Sequence, residues 1–170
     1  DDTRAWGPPY RDGEATYYLG LNRNKRSLAL DLGDAGDVEL ARRLAVRADV
    51  LIESFRPGLM ARWGLDGDTL RVRNPRLVTC SITAFGTAGD EARSLPGYDF
   101  LTQGRGGLMS ITGEAEGPPL KVGVAVSDLT TGLYATVGIL AALQQRERTG
   151  VGQYLDLALL DCQVAGLANV

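Results

Sequence analysis

Hydrophobic positions change period along this chain, and the changes mark its elements. Residues 27–32 place Leu28, Leu30 and Leu32 at every second position, the pattern of a strand with one buried face. The next stretch spaces Val38, Leu40, Ala41, Leu44 and Ala45 along one side of a helix, with Asp34 or Asp37 as its cap. Residues 49–53 form a compact apolar run that predicts a buried strand. Residues 56–63 read as a helix entered through Pro57, where the missing N–H costs little, and a further helix is expected after Asp68. The turn Asn74-Pro75 leads into another strand at 77–82, which carries the β-branched Val78 and Ile82. Ahead of these, residues 1–20 read as irregular, with Trp6-Gly7-Pro8-Pro9 and Arg11-Asp12-Gly13 as turn signals.

The second half departs from simple alternation. A short helix opens at Tyr98-Asp99 within residues 97–107, and 113–117 is a loop. A long helix over 128–148 is stopped by Thr149-Gly150-Val151-Gly152. Residues 154–158 then form a strand, and a last helix starts at Leu160. Strands separated by helical stretches predict an α/β fold, a Rossmann-like, mainly parallel sheet flanked by helices, as one domain over residues 1–170. The apolar ending at Val170 carries no stop signal, so a longer polypeptide is expected.

Asp128 is the position that calls for an explanation. It follows a Gly/Pro-containing approach over residues 117–127 and precedes an almost wholly apolar segment, which puts an acid at the mouth of a buried helix. As a cap it would accept hydrogen bonds from the free N–H groups of the first turn. As a reagent it would be a carboxylate held ionised by the helix end in a partly dry site, and so a nucleophile. The local sequence leaves both roles open.

Composition narrows the chemistry. The chain has no histidine among its 170 residues, so by itself it makes no Ser-His-Asp or Cys-His pair, no His acid/base couple and no zinc site with His ligands. Cys80 and Cys162 lie far apart without a C-x-x-C partner, which predicts buried thiols in a reducing, cytoplasmic setting and no thiolate metal site. A net charge of −3 argues against a nucleic-acid surface. The apolar run near residues 133–143 is too short to span a bilayer, so no membrane role is expected. Lysine occurs only at Lys25 and Lys121; the other cations are arginines, suited to bidentate contact with phosphate or carboxylate. A dinucleotide site is disfavoured, because Gly33-Asp34-Ala35-Gly36-Asp37 lacks the three-glycine spacing and sets two acids where pyrophosphate would sit.

Several strings, taken in order, resemble one family. They are Asn22-Arg23-Asn24-Lys25-Arg26-Ser27, Ala48-Asp49-Val50-Leu51-Ile52-Glu53-Ser54-Phe55-Arg56-Pro57-Gly58, Asn74-Pro75-Arg76-Leu77, Pro96-Gly97-Tyr98-Asp99, Val126-Ser127-Asp128 and Arg148-Thr149-Gly150-Val151-Gly152-Gln153. Together they look like the family III CoA-transferases, whose fold is shared with the 2-methylacyl-CoA racemases. The resemblance implies an interlocked homodimer, with a CoA thioester as substrate, a carboxylic acid as acceptor and no permanently bound cofactor. It implies that Asp128 attacks the thioester, with Tyr98 and Asp99 as further catalytic positions. For CoA it implies Arg4, Lys25 and Arg62 near phosphates, Phe55 and Met60 near the adenine and pantetheine, and Ser54 where the family commonly has Asn. The racemases pair the aspartate with a His where this chain has Tyr98, a group protonated at neutral pH and so a poor acid/base partner. A non-catalytic CoA-binding or dimerisation module is the reading from another class.

Overall fold

The computed structural model describes residues 1–87 and 95–169, in two compact units that divide after Asp31. Val170, with its apolar ending, lies outside the described residues.

The N-terminal unit is more regular than its turn signals suggest. A 3-10 turn at Asp2–Ala5 is capped by Asp1, whose carboxylate accepts from the Thr3 N–H. Strands β1 (Tyr10–Arg11) and β2 (Glu14–Ala15) pair antiparallel around Asp12-Gly13, both in the left-handed region, and helix α1 (Thr16–Leu21) follows. Asp-Gly is the two-residue hairpin signal, and here it closes a hairpin and not merely a turn. Arg4 lies 4.1 Å over the Tyr18 ring and pairs with Glu14, while Trp6 stacks on Tyr17.

The second unit is built on three parallel strands in the order β3 (Val50–Glu53), β4 (Val78–Thr83), β5 (Tyr154–Ala158). β4 is central, and Val78, Thr79, Cys80 and Ser81 are buried along it. Helix α2 (Ala35–Arg47) is capped by Asp34, whose carboxylate accepts from the N–H groups of Gly36 and Asp37. Between β3 and β4 run two short helices, α3 (Leu59–Trp63) and α4 (Gly67–Arg71). They close a core of Ala45, Leu65, Leu70 and Leu77, with Leu32, Met60 and Trp63 packed against it.

Three local expectations are corrected. Residues 27–32 join neither sheet. Alternation selects a face, but a strand also needs a ladder with a second strand, and among the described residues this segment is laddered to none. α3 starts after Gly58 and not at Pro57, because Gly58 adopts φ 93° and breaks the helical path there. α4 starts ahead of Asp68, because the Asp66 carboxylate takes the cap by accepting from the Thr69 N–H.

The remaining α-helices among the described residues are α5 (Asp99–Arg105), α6 (Val126–Thr149) and α7 (Leu159–Gly166). α6 packs on β4, β5 and α7. Its C-terminal end is fastened to the N-terminal edge of the sheet: buried Arg146 donates to the Asp49 carboxylate at 3.0 Å, and the Gly152 N–H donates to the Pro75 carbonyl at 2.8 Å. Twenty-four residues at a rise of about 1.5 Å each carry its start to the opposite end, where the strands finish. In open α/β sheets that is the end where ligands bind. By length and composition α6 is also apolar enough to cross a bilayer, which revises the short-run argument from residues 133–143; core helices of soluble proteins pass the same test. Leu129, Leu133, Val137 and Leu140 form an exposed apolar stripe along it.

Candidate active site

Beyond the C-terminal end of β4 lies a cleft of about 620 Å³. Ile82, Thr83 and Ala84 form part of its wall, and Asp128 faces it from the first turn of α6. Tyr98, Asp99, Ser54 and Phe55 line the same cleft. Five of the residues singled out from the sequence therefore meet in one place.

Local packing brings Tyr98 and Asp99 there. Gly97 passes so tightly over the end of β4 that a Cβ on it would sit 2.2 Å from the Ala84 Cβ, so only glycine lets the chain approach this closely. The next residue, Tyr98, is the N-terminal cap position of α5; its exposed ring stacks on Phe100 at 5.8 Å. Asp99 opens the helix.

The two candidate roles of Asp128 are separated by what Asp99 does. α6 begins two residues before Asp128, at Val126, and its cap position is Ala125, which has no side-chain acceptor. Asp99 supplies the acceptor from the neighbouring helix. Its Oδ1 accepts from the Ser127 N–H at 2.8 Å and from the Asp128 N–H at 3.3 Å. Its Oδ2 accepts from the Gln103 side-chain amide at 2.6 Å. Asp99 thus caps α6 across the interface, a task ordinarily done by the helix's own flanking residue. The Asp128 side chain is left out of capping, and among the described residues no hydrogen bond or ion pair engages its carboxylate.

Electrostatics follow from this arrangement. Asp128 is exposed as a residue, yet the cleft walls remove part of the water around its carboxyl group. That partial burial, and secondly the charge of Asp99, push its pKa above the ordinary carboxylate value. The helix N-terminus would favour the anion, but Asp99 already occupies the first-turn N–H groups.

Buried polar side chains hold the frame. Gln103, fully buried, accepts from the Val122 N–H at 2.8 Å while donating to Asp99. The Ser127 hydroxyl donates to the Gln163 side-chain oxygen, and Thr131 donates to the Ser127 carbonyl at 2.7 Å. Both serine and threonine are 1% exposed, so the inner face of the first turn of α6 is held in the interior.

Within the second unit, Met60 and Arg62 do not line this cleft. Met60 lines a neighbouring cavity of about 420 Å³, which shares Arg56 and Pro57 with the cleft. Arg62 is exposed on α3 and lines neither. Arg4 and Lys25 belong to the N-terminal unit, where Lys25 donates to the Asn22 side chain at 3.2 Å. Phe55 meets Trp63 edge-on at 5.2 Å and remains partly exposed. The sequence does not single out Arg56 or Gln103. Arg56 sits inside the string from Ser54 to Gly58, and Gln103 follows Asp99 at the i,i+4 spacing that lets such a pair meet on a helix.

Comparison with known proteins identifies the family and the fold. The sequence matches the profile of CoA-transferase family III over residues 1–170. It is 52% identical to the succinate–glutarate CoA-transferase of Agrobacterium fabrum, over 99% of this chain and 44% of that protein. The human succinyl-CoA:glutarate CoA-transferase is 42% identical over 100% of this chain and 39% of its own length. The fold superposes on the crystal structure of a CaiB/BaiF family protein from Brucella suis with a TM-score of 0.92 and 48% identity, covering 99% of this chain and 46% of that one. The chain belongs to CoA-transferase family III. It spans less than half the length of these relatives.

Proposed function

We propose that this chain carries the covalent centre of a CoA-transferase, with Asp128 as nucleophile. The observation that supports it best is a carboxylate facing a cleft and relieved of helix capping by a second aspartate. An Asp128 oxygen attacks the acyl-CoA carbonyl; a C–O bond forms, the C–S bond breaks, and a mixed anhydride and CoA thiolate result. The thiolate attacks the aspartyl carbonyl and expels the donor acid, leaving an aspartyl-CoA thioester. An acceptor carboxylate displaces CoA from that thioester as a second anhydride. The thiolate then attacks the acceptor's acyl carbon, which yields the new thioester and restores the Asp128 carboxylate. The N–H groups of Val126, Ser127, Asp128 and Leu129 are already engaged, so the oxyanions formed on the way need donors from elsewhere in the cleft, each worth about 3–4 kcal/mol in other acyl-transfer sites.

Donor and acceptor are read as small dicarboxylic acids, as in the names of the Agrobacterium and human relatives. Ser54, Phe55 and Met60 are assigned to the CoA arm, and Arg4, Lys25 and Arg62 to phosphates. The exposed stripe of Leu129, Leu133, Val137 and Leu140 is compatible with a homodimer. Two free, buried thiols suit a cytoplasmic setting.

The test is a panel of acyl-CoA donors and carboxylic acids, with CoA exchange followed by mass. Exchange without net hydrolysis, fastest among dicarboxylic pairs, is expected. Deuterium entering Cα of a 2-methylacyl-CoA with no exchange would replace this reading with the racemase. CoA binding with neither reaction would replace it with a binding module.

A further inference from the structure

Gln103 does not itself line the cleft, yet it is fully buried, it touches the lining residue Asp99, and each end of its amide has a task. Its oxygen accepts from the Val122 N–H, anchoring the segment that leads into α6. Its nitrogen donates to Asp99 Oδ2 at 2.6 Å, with a weaker contact to the Val124 carbonyl at 3.3 Å. Asp99 in turn uses its other oxygen for the Ser127 and Asp128 N–H groups. The order of donors and acceptors along this chain is fixed at every link: Val122 N–H, Gln103 amide, Asp99 carboxylate, first turn of α6. A carboxylate at position 103 would face the Asp99 carboxylate, and an amide at 99 would set two NH2 groups against each other unless one turned away.

We propose that Gln103 is a positioning residue, which fixes the rotamer of Asp99 and through it the height and direction of the Asp128 carboxylate in the cleft. The inference rests on the reading of Asp128 as nucleophile. Reaction requires that carboxylate to meet the thioester carbon at about 3–3.5 Å, and small displacements cost about 100-fold in rate. Binding of CoA depends on other residues. Disturbing Gln103 therefore lowers kcat and leaves KM nearly unchanged.

Asp99→Asn, Gln103→Glu and the double variant form the test, because together they exchange the two ends of one hydrogen bond. In the double variant the amide oxygen introduced at position 99 still accepts from Ser127, and the amide NH2 donates to the carboxylate introduced at position 103. That carboxylate still accepts from Val122. Each single variant is expected to lose about 10- to 100-fold in kcat with KM within about threefold. The double variant is expected to exceed either single at least about tenfold. The lost Val124 contact keeps it below the wild type. The pH profile of kcat/KM supplies a readout that a purely structural role would not move. Arg56, Tyr98 and Asp99 are the charged or titratable groups that line the cleft with Asp128 among the described residues. Moving the negative charge from position 99 to 103 takes it off the first turn of α6, so the acid limb shifts to lower pH in the double variant.

Full kcat in both single variants, or no gain in the double, overturns the proposal. If Gln103→Glu does not fold, Asp99→Asn against the double variant decides: a gain supports it and no gain overturns it. Failure of the reading beneath is separate, because the wild type would then exchange no CoA, or Asp128→Asn would still exchange it.

Discussion

Asp128→Asn abolishes CoA exchange, with kcat falling by about four orders of magnitude or more, because an amide supplies no oxygen nucleophile and forms no anhydride. The same substitution makes the protein slightly more stable at neutral pH. The Asp128 carboxyl titrates above its ordinary value in the folded protein, through partial burial and then the Asp99 charge. A raised carboxyl pKa means that the folded state holds the proton more tightly than the unfolded chain. Its contribution to stability is fully present below the unfolded value of 3.8 and is lost as pH rises through the higher folded value. At pH 7 the ionised group is a net cost, and asparagine removes it. The gain stays below about 1 kcal/mol, since the residue is exposed and solvent screens it. Melting curves of the two proteins from pH 7 down to pH 3 test the sign: the variant leads at neutral pH, and its lead disappears as the wild-type carboxyl takes up its proton. Loss of activity together with a gain in stability marks a group kept for reactivity.

The largest expected loss of stability comes from Gly152→Ala. An added Cβ would stand 2.0 Å from the Leu77 carbonyl oxygen, 2.4 Å from its carbon and 2.7 Å from the Arg76 oxygen. These are backbone atoms at the entrance to β4, and Leu77 is fully buried in the core. A flexible side chain could move aside; this backbone cannot move without disturbing the Gly152–Pro75 hydrogen bond and the start of the central strand. Overpacking of this kind costs about 3 kcal/mol or more. Urea unfolding should show a lower midpoint with an unchanged slope. Gly20→Ala serves as the control, since its added Cβ meets nothing within 4 Å on α1, and it is expected to stabilise by about 0.5–1 kcal/mol.

Much of the frame was legible because it depends on local order. The strands at 50–53, 78–83 and 154–158, the Asp34 cap and the stop after Thr149 all carry their signals within a few residues. Residues 27–32 show the limit of periodicity: three alternating leucines define a face but do not provide a neighbouring strand. The helix expected from Pro57 forms but starts only at Leu59, since a left-handed glycine one residue after the proline breaks the helical path. The site divides along the same line. Asp128 could be found from its position before an apolar helix, but its freedom from capping could not. That depends on Asp99 arriving from a helix 29 residues earlier, through a glycine pressed against Ala84 and a buried glutamine. Contacts of that kind become visible only when the elements have packed.

A covalent bond to Asp128 is the centre of the account, and trapping it is the most direct test. The protein is incubated with an acyl-CoA donor, hydroxylamine is added, and the digested peptides are weighed. The account predicts a hydroxamate on the peptide containing Asp128, dependent on donor and absent in Asp128→Asn. Continued CoA exchange by a wild-type protein whose Asp128 peptide stays unmodified, or a hydroxamate on a different carboxylate, would contradict it.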